Sequence, residues 1–292
     1  MLTIIINPIS GSAGRSAGRT RADLAQRVVA DAGVDARIVV TERPGHAGDL
    51  ARDAAERGAR AVVAWGGDGT INEVAAALAF GPVPLAIVPA GSGNGLAREL
   101  GLPTRADRAL ATAVAGRTRA IDVGEIDDRL FVNLAGVGVD AHVASCFNAP
   151  TNRRRGLLGY AGLTARMLVS YVPKWYRVTA GTTTANVRAL LVTIANSAQF
   201  GNGARIAPGA RLDDGLLDLV VLQEKSRLRT IAHVPRLFNG TVARIPGCRL
   251  EQVRDVTIEA DEPMTYHIDG EPHRGGTRLR ARVHPGALRV IV

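Results

Sequence analysis

Residues 61–73 read Ala-Val-Val-Ala-Trp-Gly-Gly-Asp-Gly-Thr-Ile-Asn-Glu. The first five form a continuous apolar run, which is typical of a strand buried on both faces of a parallel sheet. The run breaks into a turn rich in glycine, and Thr70 and Glu73 then stand in the S/T-x-x-E spacing of a capping box. We therefore expect a strand, a tight turn and a helix that begins just after the glycines.

Similar strand–turn–helix units surround this stretch in the first 120 residues. Strands are predicted at residues 3–7, 36–41 and 85–88, and helices at about 15–32, at 47–57 and after residue 94. Such repeats imply an open parallel α/β sheet with right-handed crossovers.

The pattern changes near residue 122. Short alternating runs separated by turn residues then follow, at 130–134, 187–195, 216–222, 256–260, 279–283 and 288–292. They favour an all-β antiparallel sandwich, interrupted by helical patterns at 153–172 and 228–238. The predicted domains are therefore an α/β domain at 1–122 and a β-sandwich domain at 123–292.

Composition excludes several classes of protein. The 292 residues are 46% hydrophobic, so the chain can bury a sizeable core. Its net charge is +9. Lys174 and Lys225 are the only lysines, and neither lies in a Walker A loop or in the lysine-bearing strand of a protein kinase. The dinucleotide fingerprint fails because Asn72 and Leu96 stand where Gly or Ala is needed.

Signals of export are also missing from the sequence. The first residues have no basic segment or cleavage site, and apolar stretches are broken by proline or arginine. Two distant cysteines, Cys146 and Cys248, do not suffice for a disulfide framework or a zinc site. We expect a reduced, cytoplasmic protein.

Three glycine-rich turns are the strongest candidates for a binding site. They occupy residues 7–11, 66–70 and 91–94, directly after the first, third and fourth predicted strands. In a parallel sheet these turns share the carboxyl edge, where open α/β folds bind ligands. Backbone N–H groups and helix N-termini there could hold a polyphosphate without any lysine. One such turn alone would as often be only a turn.

Acidic residues add candidate metal and proton-transfer groups. Asp68 in an anion-binding turn suggests a bridging Mg²⁺, although it could instead cap a helix. Residues 211–216 could offer a carboxylate and backbone carbonyls to a cation, or form an Asp-Gly hairpin turn. Asp269 or Glu271 could accept the proton of a substrate hydroxyl, or belong only to a hairpin turn.

Five segments taken together resemble one family. They are Asn-Pro-Ile-Ser-Gly at 7–11, Gly-Gly-Asp-Gly-Thr-Ile-Asn at 66–72, Pro-Ala-Gly-Ser-Gly-Asn at 89–94, Asp-Gly-Leu-Leu-Asp at 214–218 and Asp-Gly-Glu at 269–271. In this order they resemble the diacylglycerol kinase/sphingosine kinase superfamily, and the bacterial soluble lipid kinases in particular. The resemblance covers essentially the whole chain. It implies an N-terminal domain like that of 6-phosphofructokinase and NAD kinase, and a C-terminal β-sandwich.

The resemblance also implies roles for individual residues. Asp269 would be the general base with Glu271 close by, and Asp68 would organise a catalytic Mg²⁺ through water. A structural Mg²⁺ would be held by the Asp214 carboxylate and by the backbone carbonyls of Arg211 and Leu216. The residues expected to bind ATP are Asn7, Pro8, Ser10, Gly11, Thr41, Gly66, Gly67, Asp68, Gly69, Thr70, Asn72, Glu73, Gly91, Ser92 and Asn94.

One position departs from the family pattern. Gly95 stands where many bacterial diacylglycerol kinases have an aspartate after the Asn of this turn. The Gly-Ser-Gly-Asn form is closer to the sphingoid-base kinases, so the acceptor lipid stays open. The alternatives are a soluble-metabolite kinase like NAD kinase, and a catalytically silent lipid- or nucleotide-binding regulator.

The arginines are spread along the chain without a nucleic-acid-binding motif, so we expect no nucleic-acid partner. The densest cluster, residues 153–155, precedes apolar and aromatic residues up to Tyr176. Such a segment suits transient docking on an anionic membrane, or it could simply cover the core. The sequence is also compatible with a homodimer.

Overall fold

The chain divides into two units. The computed structural model describes residues 1–11, 17–147, 171–201, 203–223, 233 and 235–292. Unit 1 comprises Met1–Val123 and Gly286–Val292, and unit 2 comprises Gly124–Pro285. The C-terminal residues thus return to unit 1, whereas the boundary drawn from the sequence at residue 122 leaves them with the second domain. They return because Val290 is fully buried and pairs in parallel with Leu85.

Unit 1 is an α/β domain in which strands and helices alternate. Its elements are β1 (Leu2–Ile6), α1 (Ala17–Asp31), β2 (Ala36–Val40), α2 (His46–Glu56), β3 (Ala61–Gly66), α3 (Asp68–Leu78), β4 (Leu85–Pro89), α4 (Gly95–Glu99), α5 (Ala106–Ala115) and the start of β5 (Thr118–Ile126). The first four strands pair in the order β2–β1–β3–β4, all parallel. The predicted open parallel sheet is confirmed.

The register of this sheet places the candidate turns together. Ile6 lies opposite both Val40 and Trp65, and Gly66 lies opposite Pro89. Since the strands are parallel and end in line, the turns that follow β1, β2, β3 and β4 all lie at one edge. Strands β1, β3 and β4 are buried throughout, which makes this edge a rigid support.

Unit 2 is built from antiparallel strands. Its elements after β5 are β6 (Arg129–Phe131), β7 (Leu134–Gly138), α6 (Val139–Phe147), β8 (Lys174–Ala180), β9 (Thr183–Ala195), β10 (Gln199–Gly201), β11 (Ala204–Arg205), β12 (Leu217–Gln223), α7 (Pro235–Phe238), a 3₁₀ turn (Val242–Arg244), β13 (Cys248–Val253), β14 (Asp255–Glu259), β15 (Thr265–Ile268), β16 (Glu271–Arg274) and β17 (Arg278–Ile291). Neighbouring strands in the order β16–β15–β7–β9–β8–β14–β17 all pair antiparallel.

Strand β9 is the centre of unit 2. It pairs with β7, β8 and β12 along its length. From residue 189 to residue 195 its side chains are buried on both faces: Val192 and Ile194 pack with Phe131 and Tyr266, while Leu190 packs with Val139. The predicted all-β antiparallel domain is therefore confirmed.

Two strand predictions differ from the structure in detail. The run at 130–134 is two strands, β6 and β7, because the backbone bends at residues 132–133. The runs at 279–283 and 288–292 are one strand, β17. Gly286 lies within it at a φ of 61°, a conformation that glycine adopts without steric cost.

Two predicted helices lie largely outside the described residues. Residues 153–170, including the arginine cluster, belong to this undescribed part, as do most of residues 228–234. Within the described ranges, no helix combines the length and the apolarity that crossing a bilayer requires.

Candidate functional site

The turn after β1 is tied to the start of α3 by side chains predicted from the sequence. The Asn7 amide donates from Nδ2 to the Thr70 hydroxyl at 2.8 Å. Its Oδ1 accepts the N–H of Ile9 at 3.1 Å, and the Ser10 hydroxyl donates to the Asn7 carbonyl at 3.0 Å. The turn is therefore closed on itself and joined to the neighbouring strand–helix unit.

Arg21 holds the same turn from α1. One guanidinium nitrogen donates to the Asn7 carbonyl at 2.6 Å and to the Ser10 hydroxyl at 2.8 Å, and another donates to the Ser10 carbonyl at 2.8 Å. The guanidinium also lies 5.9 Å from the centre of the Trp65 ring. Burial lowers the pKa of Arg21 from its ordinary value. Arg21 was not among the residues predicted from the sequence.

The turns after β3 and β4 are joined by the Asp68 carboxylate. Its Oδ2 accepts the N–H of Asn94 at 2.9 Å and its Oδ1 accepts the N–H of Gly95 at 2.7 Å. Asn94 has a left-handed backbone at a φ of 51°, and its side chain both accepts from the Gly91 N–H and donates to the Gly91 carbonyl, each at 2.8 Å. Asp68 thus caps α4, the helix that follows the next strand.

Several glycines at this edge are required by close approach of the backbone. A Cβ on Gly91 would lie 2.8 Å from the Cα of Gly67, and one on Gly93 would lie 2.6 Å from Oδ2 of Asp68. Gly11 has a φ of 76°, and a Cβ there would lie 2.5 Å from the Ala90 carbonyl oxygen. A side chain at any of these three glycines would collide with a neighbouring turn, so the backbone itself forms the surface at these positions.

The predicted capping box is wrong. Helix α3 begins at Asp68, after the N-cap Gly67, and has no side-chain cap. The Glu73 carboxylate instead accepts the N–H groups of Gly45 at 2.9 Å and Ala47 at 3.2 Å, so it caps α2. Its partners lie in another turn, which the S/T-x-x-E spacing could not reveal.

The remaining predicted residues of unit 1 lie at the same edge. Thr41 follows β2 and donates its N–H to the Ile6 carbonyl at 2.9 Å, while Ser92 is exposed after β4. The others on or beside the turns are Pro8, Gly66, Gly69 and Asn72. With the N-terminus of α3 beside them, these backbone-lined turns can attract and bind an anion.

In unit 2, Asp269 occupies a tight hairpin turn. Residues 269 and 270 have φ angles of 47° and 88° between β15 and β16, and Ile268 pairs with Glu271. The Asp269 Oδ1 accepts the N–H groups of Asn133 and Leu134, both at 2.9 Å, and its Oδ2 accepts that of Val132 at 3.0 Å. These donors orient the carboxylate. Glu271, next to the turn, is exposed.

The segment at 211–218 places two acids near each other. Asp214 accepts the Leu216 N–H at Oδ1 and the Gln252 amide at Oδ2, both at 3.1 Å. Burial, and then the negative charge of Asp214, raise the pKa of Asp218 to about 6. Arg211 lies 3.6 Å from Asp213, measured from Nε to Oδ1.

This donor set fits a hard cation supported mainly by backbone oxygen. In the described part of the chain, no three His, Cys, Asp or Glu side chains group as a metal site. A Mg²⁺ here would therefore depend on the Asp214 carboxylate and on carbonyls such as those of Arg211 and Leu216. A divalent cation would offset the repulsion between the neighbouring carboxylates of Asp214 and Asp218, the second of which is buried.

Asp218 makes stability depend on pH. Its folded-state pKa of about 6 is above the ordinary 3.8, so the folded state binds the extra proton. The stability that this proton contributes is then lost as pH rises from about 4 to about 6, and it stays lost above that range. Asp218→Asn, which cannot ionise, should flatten this fall by up to about 3 kcal/mol. The measurement is the free energy of unfolding in urea, determined between pH 4 and pH 7 in the presence of a chelator.

The exposed Asp261→Asn is the matched control for this experiment and should leave the pH dependence unchanged. An Asp218→Asn profile that falls as steeply as the wild-type profile would contradict the expected titration.

Family models match both units of the chain. The diacylglycerol kinase catalytic domain matches residues 1–126, and the YegS C-terminal NAD kinase beta sandwich-like domain matches residues 133–292. In fold, the chain is similar to a crystal structure of a diacylglycerol kinase from Bacillus anthracis, with a TM-score of 0.77 over 99% of this chain and 96% of that one, at 21% identity.

Curated relatives extend over nearly the whole chain. The "Probable lipid kinase YegS-like" of Chromohalobacter salexigens is 34% identical over 89% of this chain and 85% of its own length. The protein of the same name from Pseudomonas aeruginosa is 34% identical over 95% and 91%. A "Diacylglycerol kinase" of Mycobacterium tuberculosis is 33% identical over 92% and 88%. The chain therefore belongs to the YegS-like lipid kinase family, with a diacylglycerol kinase catalytic domain followed by a YegS C-terminal domain.

Proposed function

We propose that the protein transfers the γ-phosphate of ATP to a hydroxyl of a membrane lipid, either diacylglycerol-like or sphingoid in type. The observation that carries this proposal is the set of three glycine-rich turns at one sheet edge. Asp68 joins the second turn to the third, and Asn7 joins the first turn to Thr70. Their backbones approach too closely for a Cβ at Gly11, Gly91 or Gly93. The names of the relatives, lipid kinase and diacylglycerol kinase, support the reaction and the class of acceptor.

The turns of unit 1 would bind the nucleotide through their backbone. N–H groups of the glycine-rich turns and the N-terminus of α3 offer donors and a positive dipole end to phosphate oxygens. Arg21 would keep the first turn in shape, because it donates to Asn7 and Ser10. Phosphoryl transfer depends mostly on positioning and charge stabilisation, which a rigid edge supplies.

Asp269 would accept the proton of the lipid hydroxyl. As the hydroxyl oxygen forms its bond to the γ-phosphorus, the bond from that phosphorus to the β–γ bridging oxygen breaks and ADP leaves. The hydroxyl proton passes to the Asp269 carboxylate. The transition state of such transfers is loose, so a weakly basic carboxylate in a fixed orientation suffices.

Two groups of residues fit Mg²⁺. Asp68 would take part in a catalytic site through water, while it also holds the turns together. Asp214, with the carbonyls of Arg211 and Leu216, would take part in a structural site. A bound Mg²⁺ supplies positive charge to the phosphate oxygens during transfer.

We also propose that the enzyme docks transiently on anionic membranes. The net charge of +9 and the arginines at 153–155 support this idea. So do Val172 and Trp175, which are 58% and 62% exposed beside Lys174. Basic residues next to exposed aromatic and aliphatic side chains suit the interface of an anionic bilayer.

The direct test of the reaction is transfer of labelled γ-phosphate from ATP to a panel of lipid hydroxyls. The panel contains diacylglycerol, monoacylglycerol and sphingoid bases, each presented in neutral and in anionic vesicles, and phosphatidylglycerol, which is itself anionic, in anionic vesicles only. We expect one class of lipid to become labelled, and labelling to be faster in anionic vesicles because basic residues concentrate the enzyme there.

No labelled lipid in either kind of vesicle would overturn the proposed reaction. Two other results would overturn only the docking. One is an equal rate of labelling in neutral and in anionic vesicles. The other is vesicle binding that survives replacement of all three arginines at 153–155 by Gln.

Asp269→Asn tests the proposed base. The amide keeps the size of the side chain but accepts a proton poorly, so transfer should fall by at least about a hundredfold. Binding of ATP, measured by titration calorimetry, should stay within about twofold of the wild type. A variant that turns over at the wild-type rate would show that the base lies elsewhere.

A further inference from the structure

The backbone that carries Asp269's hydrogen-bond donors has an unusual course. Three successive N–H groups, those of residues 132, 133 and 134, converge on one carboxylate. In a regular strand, successive N–H groups point in alternate directions. The bend between β6 and β7 is therefore what makes this arrangement possible, and something must hold the bend.

Residues that follow β9 hold it. The N–H groups of Asn196 and Ser197 both donate to the carbonyl of Asn133, at 2.7 and 3.1 Å. The Asn196 amide donates from Nδ2 to the carbonyl of Val132 at 2.9 Å. The Ser197 hydroxyl donates to Oδ1 of Asn133 at 3.1 Å. Two carbonyls and one side chain of the bend are thus bound from a single segment.

These polar side chains lie in the interior of unit 2. Asn133 is 5% exposed, and Asn196 and Ser197 are 0% exposed. Buried polar groups contribute little net stability even when paired, and apolar residues of similar shape often serve as well. Apolar residues would therefore have sufficed if the bend at 132–134 only had to be stable. The hydrogen bonds among Asn133, Asn196 and Ser197 also fix the geometry of the backbone around the Asp269 carboxylate.

We infer that Asn133, Asn196 and Ser197 are positioning residues that orient the Asp269 carboxylate for the acceptor hydroxyl by holding the bend at 132–134. They act through the backbone and touch no reacting atom. This inference rests on the proposed function, because it assigns them their effect through the proposed base.

Ser197→Ala is the sharpest variant, because it deletes one hydroxyl and leaves the fold's volume nearly unchanged. Loss of a hydrogen bond that orients the base should lower kcat about tenfold, while the KM for ATP stays within about twofold. The effect should vanish in an Asp269→Asn background, since Ser197 can act only through the carboxylate. Thr179→Ala, which removes an exposed hydroxyl bonded to Thr184 at 3.0 Å, is the matched control and should leave kcat unchanged.

The outcomes separate the inference from the proposed function. If wild-type enzyme labels a lipid and Ser197→Ala does so at the same rate, the inference is overturned and the function stands. It is also overturned if Ser197→Ala lowers kcat equally in the wild-type and Asp269→Asn backgrounds, which would indicate general loosening. If the wild type labels no lipid, the proposed function fails, and the inference fails with it.

Discussion

Two hydrogen bonds from the backbone of Asn94 and Gly95 to the Asp68 carboxylate constrain the turns after β3 and β4 at the carboxyl edge of unit 1. Bonds to a charged acceptor are each worth about 1.5–3 kcal/mol, so they set the distance between the turns after β3 and β4. At that distance Gly93 cannot carry a side chain, because its Cβ would lie 2.6 Å from the carboxylate. Gly91 cannot carry a side chain either, because its Cβ would lie 2.8 Å from the Cα of Gly67.

The same constraint indicates how a chain with two lysines would bind the proposed polyphosphate. Lysine usually supplies a mobile positive charge, whereas here the donors would be N–H groups held in place by neighbouring turns. Arg21 bonds to backbone oxygens of the first turn and to the Ser10 hydroxyl, so it serves the shape of that turn.

Unit 2 also contains a carboxylate that accepts several backbone N–H groups. Asp269 accepts three backbone N–H groups, as Asp68 accepts two, and in both cases an acid organises a bend of the main chain. Each candidate catalytic acid is therefore also a structural one. Substitutions at either position should be read with measurements of ligand binding and of stability beside activity.

The sequence predicted the strands and the candidate turns because both are local patterns. Apolar runs that end in glycine place 66–70 and 91–94 without any knowledge of contacts. What escaped prediction depends on partners distant in the chain. Glu73 caps a helix that precedes it by a whole strand, and Asn133 meets Ser197 only because β7 and β9 pair. Arg21 was missed because its partners are mostly main-chain atoms.

In the proposed nucleotide site, the closely packed backbone of the glycine-rich turns would supply the groups that bind the phosphates. Titration of Mg·ATP into Gly91→Ala tests it most directly, because the new Cβ would meet the Cα of Gly67 at 2.8 Å and push the turns apart. Gly91→Ala should bind Mg·ATP at least about tenfold more weakly than wild type, whereas Gly209→Ala, in open space, should bind it normally. Wild-type affinity in Gly91→Ala would show that the packed turns do not form the nucleotide site.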